Sequence, residues 1–136
     1  MPDQPAPGFR DRPGHTITIA PFDGRVRTAV AGIVIADSRD VLLLREATYS
    51  AVFYFPVKDV RFDGFLTPTD RHTTCPFKGI ADYWTFCLGG FTAENIAWAY
   101  PDPWRETAAI AGHVAFYWDR MDSWFVDDHP VTAPPA

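Results

Sequence analysis

Arg25-Val26-Arg27-Thr28-Ala29-Val30 and then Gly32-Ile33-Val34-Ile35-Ala36 are dense in β-branched side chains. Such side chains fit a pleated surface and lose rotamer freedom in a helix, so both runs read as strands. Asp37-Ser38-Arg39-Asp40 supplies polar turn chemistry, and Val41-Leu42-Leu43-Leu44-Arg45-Glu46 resumes the strand composition. A meander of short strands follows, and with it a mainly β fold class.

The pattern extends in both directions. Upstream, Thr16-Ile17-Thr18-Ile19 alternates polar and apolar, as a half-buried strand does, before Pro21-Phe22-Asp23-Gly24 turns the chain. Downstream, Val52-Phe53-Tyr54-Phe55 ends at Pro56, which has no N–H for a ladder, and Asp63-Gly64 marks a tight turn. Strands from Phe65 to Cys75 and from Asp82 to Leu88 are joined through Pro76-Phe77-Lys78-Gly79, where Gly79 can take positive φ. A turn centred on Lys78-Gly79 sets Cys75 across from Asp82, near Tyr83. Gly89-Gly90 is a turn signal. Asp102 to Ala111 breaks the β pattern with an N-cap, a proline at the first helical position and Gly112 as a stop, which predicts one short helix near residues 103–111. His113 to Trp118 and Trp124 to Val126 return to strand composition.

The chain has 136 residues, the size of one domain. Prolines at 2, 5, 7 and 13 mark residues 1–13 as a flexible arm, residues 14–127 form the single β domain, and 128–136 read as a flexible tail. No apolar run approaches the roughly 20 residues of a membrane span, and the start shows no basic-then-apolar leader, so a cytoplasmic protein with no membrane partner is expected. Two cysteines are too few for a disulfide framework and agree with a reducing compartment. A net charge of −5, with 12 scattered basic residues, argues against a nucleic-acid partner, whose phosphates require a basic surface.

The segment Asp70 to Gly79 places His72, Cys75 and Lys78 within seven positions. These three are the candidate catalytic residues. Strand alternation sends His72 and Cys75 to opposite faces, whereas Lys78 in the turn is placed to lower the Cys75 pKa. Cys87, on a strand, reads as packed. Two cysteines without a CxxC pair and four separated histidines offer no zinc set, so no metal and no cofactor is expected. Neither a phosphate-cradling GxxxxGK[ST] nor a dinucleotide GxGxxG occurs. Acidic residues such as Glu46, Asp59, Asp82 and Glu94 are expected on the solvated surface. Trp98-Ala99-Tyr100-Pro101-Asp102-Pro103-Trp104 sets aromatic rings among prolines, which suits either the wall of a ligand cleft or, with Trp98 and Tyr100 two apart on a strand, packing toward the core while the prolines open the helix.

Several motifs in order carry a resemblance: Tyr54-Phe55-Pro56 with Asp59-Val60, Thr74 to Gly79 with Ala81 and Tyr83, Asn95 to Pro103, and Ile110 to Trp118. Together they resemble the bacterial domain-of-unknown-function family numbered 427, sometimes labelled nucleotidyltransferase-like. The resemblance implies a compact, antiparallel β-tent, or Mss4-like, fold. It brings neither the zinc cysteines of the zinc-binding β-tent proteins nor the paired carboxylates of nucleotidyltransferases, since this chain has neither pattern. The leading functional expectation is a small-molecule binding module. Its cleft is lined by Tyr54, Tyr83, Trp98 and Tyr100 and edged by Cys75 and Lys78. The alternatives are a cysteine-dependent enzyme using Cys75, or an accessory interaction protein with an exposed aromatic face, and self-association stays open in each case.

Overall fold

The computed structural model describes residues 3–136; Met1 and Pro2, the start of the expected arm, lie outside the described residues. The chain is mainly β. In order the strands are β1 Ile17–Pro21, β2 Val26–Val30, β3 Ile33–Ser38, β4 Leu42–Glu46, β5 Val52–Pro56, β6 Leu66–Cys75, β7 Gly79–Leu88, β8 Phe91–Ala99, β9 His113–Phe116, β10 Ser123–Val126 and β11 His129–Val131. They form a seven-stranded antiparallel sheet, order β1-β4-β5-β9-β8-β7-β6, and a four-stranded antiparallel sheet, order β11-β10-β2-β3.

Period-2 alternation gives the large sheet two different faces. Leu43, Phe53, Phe55, Val114, Phe116, Ala97 and Phe86 join Val26, Val30, Ile35 and Trp124 of the small sheet in one apolar core. The intervening residues Leu44, Tyr54, Ala81, Tyr83 and Ala115 point the other way and build a second cluster. That outer face has no sheet against it. It is closed instead by Tyr100 and by Ile110 of the 3-10 segment Arg105–Ile110.

The predicted helical insert is this 3-10 segment, kinked at Thr107 (φ −120°). An isolated helix this short gains little from its own hydrogen bonds, so tertiary contacts set its form. Trp104 N–H donates to the Lys78 carbonyl, which fastens the start of the insert to the β6–β7 turn. Phe91–Ala99, where only a turn and the Trp98 position had been read, is the strand that joins β7 to β9. The residues read as a flexible arm lie against the domain. Ala6 is buried, Gly8–Asp11 forms one short helix (α1), and Gly8 N–H donates to the Pro76 carbonyl at 2.8 Å. In the segment read as a tail, β11 extends the small sheet beyond residue 127, and Pro135 accepts from Ala51 N–H.

Candidate functional site

The β6–β7 hairpin differs from the expected register in a way that matters chemically. Cys75 pairs with Gly79, and Asp82 stands opposite His72. Three residues, Pro76, Phe77 and Lys78, therefore make the turn. Gly79 takes φ +129°, and a Cβ there would come within 3.3 Å of the Asp102 carbonyl oxygen. The glycine thus lets the 102–104 segment close over the turn.

His72 is 54% exposed, and its Nδ1 lies 3.0 Å from Asp82 Oδ1. This places it apart from Cys75, as strand alternation had indicated. Lys78 lies on the inner side of the hairpin end. Its Nζ donates to Glu46 Oε1 at 2.6 Å and approaches Cys75 Sγ at 3.8 Å. Glu46, expected on the solvated surface, is the correction here: its side chain is 15% exposed and that of Lys78 11%. The second carboxylate oxygen accepts from His15 Nε2 at 2.8 Å, and the imidazole stacks on Phe77 at 3.9 Å between centroids. Burial pushes the Glu46 carboxyl up, but the Lys78 hydrogen bond and charge, with His15, outweigh it and leave it below the ordinary carboxylate range.

The four rings named from sequence converge beside this charged cluster. Tyr54, Tyr83 and Tyr100 are buried in the outer-face cluster, with Trp98 and Cys75 packed at its margin. Trp98 Nε1–H donates to Tyr54 Oη at 3.4 Å, and the two rings meet edge to face. Burial above all drives the Tyr54 and Tyr100 phenols upward, and the nearby Glu46, Cys75 and Tyr83 push the same way. Both stay protonated at neutral pH, as hydrogen-bond donors. Tyr83 behaves differently. Burial raises its phenol, but Thr73, Tyr117 and Arg71 more than compensate, and it sits below the usual tyrosine value. Its hydroxyl shares a 2.8 Å hydrogen bond with Thr73 Oγ1, and the Arg71 guanidinium lies 4.9 Å over its ring.

All six expected ligand-binding side chains, Tyr54, Cys75, Lys78, Tyr83, Trp98 and Tyr100, are therefore brought to one face, while His72 is not. Sequence reasoning missed Glu46 and His15, which are 32 and 63 positions from Lys78. It also missed Tyr117, whose ring lies 4.6 Å from Trp98. Cys87, read as packed, is exposed; its Sγ is 4.0 Å from Thr92 Oγ1. Strand β7 keeps its alternation, but the apolar cluster on the outer face ends at Tyr83, so among the described residues nothing of it packs over Cys87 on that face.

Among the described residues, no group of three or more His, Cys, Asp or Glu side chains is placed to hold a metal ion. The donor set for metal-assisted nucleotidyl transfer does not fit this chain. No helix is long and apolar enough to cross a membrane. Nothing among curated proteins matches the chain. Residues 18–127, which hold most of both sheets and of the site but not His15 or β11, match the family described as a domain of unknown function (DUF427), and the chain belongs to that family.

Proposed function

We propose that the protein is a small-molecule binding module whose ligand is held at the outer face of the large sheet. The observation that carries this reading is the composition of that face. Three phenols, a thiol, an ammonium and a carboxylate are set among apolar side chains, on the one face that no second sheet covers. Packing alone does not require so many polar tips, and ligand sites commonly combine apolar walls with a few placed polar groups. Trp98, beside this set, is half-buried, as are Cys75 and Glu46 within it. A recess of about 120 Å³ reaches Trp98 from the end of the sheet, where Tyr117 and the inner-core rings Trp118 and Trp124 also wall it.

The test is a thermal-shift screen of metabolites on the full chain and on Trp98→Ala. A specific ligand at a hundredfold excess over its Kd adds about 2.7 kcal/mol to the wild-type stability. The expected result is a hit that raises the wild-type Tm and leaves Trp98→Ala unmoved. A screen in which every hit shifts both proteins equally sinks the reading.

The 3.8 Å approach of Lys78 Nζ to Cys75 Sγ favours one second reading, a cysteine-dependent reaction, since an ammonium stabilises a thiolate. Iodoacetamide at neutral pH decides it, in a Cys87→Ser background because Cys87 is exposed. Cys75 should alkylate faster in the folded chain than in urea. Slower alkylation on folding removes the thiolate reading.

A further inference from the structure

Two of the irregularities in the large sheet face each other across β7. Between Pro68 and His72, strand β6 carries three residues where β7 has only Tyr83. Between Ala93 and Ala97, β8 carries three where β7 has only Thr85. Both bulges thus flank the same stretch of the central strand, and they are tied together over it. Thr69 Oγ1 donates to Asn95 Oδ1 at 2.7 Å, and Asn95 N–H donates to Thr85 Oγ1 at 3.1 Å. Asn95 holds φ +51°, a left-handed conformation that costs energy for any residue with a Cβ. Opposed bulges with a strained residue re-aim side chains, and here they aim Arg71 and Asn95 into one recess.

The recess has a volume of about 410 Å³ and is lined by Arg71, Glu94, Asn95, Tyr117 and Arg120. Arg120 comes from the 3-10 turn Trp118–Arg120 and is steadied by donating to the Glu94 carbonyl. Among the described residues, neither Arg71 nor Arg120 forms an ion pair, although the chain as a whole is acidic. Burial and its hydrogen bond to Tyr83 hold the Tyr117 phenol above the usual tyrosine value, and the two nearby guanidinium groups only partly offset this. The Oδ1 of Asn95 is taken by Thr69, which leaves its amide NH₂ as the group with donors to offer at the recess that Asn95 lines.

We propose that this recess binds the phosphate group of a small organic phosphate monoester. Two guanidinium forks without carboxylate partners, beside the Asn95 amide, match a tetrahedral dianion better than a carboxylate, because they offer more donors than a planar monoanion can use. The recess exceeds the size of a phosphate, and the exposed edge of Tyr117 borders the surplus space that takes the organic part. Glu94 is the one carboxylate at the rim and opposes anion binding. The recess borders the outer-face site, sharing Tyr117 with it and touching Tyr83 through Arg71, but it uses none of Tyr54, Cys75, Lys78 or Tyr100, so each reading can fail without the other.

The experiment is a titration of the full chain with phenyl phosphate at low salt, followed by amide NMR shifts at Asn95 and Arg71. Arg71→Ala and Arg120→Ala should each weaken binding roughly tenfold, the loss of a charged hydrogen bond of about 1.5 kcal/mol. Glu94→Gln should tighten it severalfold, a gain that a merely unfolded variant cannot produce. Lys58→Ala, remote and exposed, should leave it unchanged. Equal weakening by Lys58→Ala would reduce the effect to general screening and overturn the site, as would wild-type affinity in both arginine variants. Benzoate binding as tightly as phenyl phosphate would overturn the choice of phosphate. Inorganic phosphate binding as tightly would overturn the organic ester.

Discussion

Glu46 carries two bonds that nothing near it in sequence announces. Lys78 Nζ and His15 Nε2 occupy its two oxygens, and both partners are themselves largely buried. Lys78→Ala leaves the buried Glu46 with His15 as its one remaining partner and opens a void where the lysine stem packed, so it should destabilise the domain by about 3 kcal/mol in urea unfolding. Lys78→Met, which keeps the volume and leaves Glu46 its imidazole partner, should cost less than half of that. The pH response has a defined sign. The Glu46 carboxyl lies below its unfolded value of 4.5, so its contribution is complete above that pH and fades as pH falls through the lower folded value. A plot of stability against pH should show that acid loss in the wild type and lack its Glu46 part in Glu46→Gln. Lys78 and Cys75 were legible because they share one turn. Glu46 and His15 were not, because only the pairing of β1 with β4 and the closure of the hairpin over that edge make them neighbours.

At the scale of elements, what could be read was whatever strand chemistry and turn chemistry state locally. Arg25 to Glu46 gave three strands, and the β2–β3 loop is two residues, Ala31 and Gly32, with φ +51° and +78°. Such a pair of positive values is the hairpin turn that matches strand twist. Ala31 pays for its Cβ there, so Ala31→Gly should raise stability by about 0.5 to 1 kcal/mol, read as a higher urea midpoint at unchanged slope. Strand β8 was the element least visible in advance. Its Ala93, Ala97 and Ala99 carry little β propensity, and the bulge at Glu94 to Ile96 breaks the alternation that would have marked its faces. Such bulges are tertiary devices, so the recess that they create has no signature in a linear reading.

For the whole molecule, the N-terminal segment is part of the fabric around the site. Phe9 meets Phe77 edge to face at 4.9 Å, and Ala6 N–H donates to Glu106 Oε1 at 2.8 Å. Gly8 makes this seating achievable: a Cβ on it would fall 2.7 Å from Phe77 Cε1 and 2.8 Å from the Pro76 carbonyl oxygen. Gly8→Ala should therefore lift the segment off, with the Gly8 and Arg105 amides losing protection in hydrogen exchange and stability falling by about 1 to 2 kcal/mol. Prolines at 5, 7 and 13 had suggested looseness from composition. Composition does not show that Phe77 and Pro76 offer a surface to receive the segment.

The pairing of β5 with β9 has a consequence in time as well as in space. Phe55 bonds across to Val114, while β6, β7 and β8 are consecutive hairpins that lie between them in the chain. Nearby partners meet quickly and distant ones slowly, because closing the larger loop costs more chain entropy before any contact rewards it. In pulse-labelling refolding, the amides that pair β7 with β8 should gain protection before those that pair β5 with β9. Until that seam closes, Tyr54 and Tyr83 belong to separate halves of the chain. A polypeptide still emerging during synthesis therefore has its hairpin with Cys75 and Lys78 early, but acquires a complete site only when its final quarter arrives.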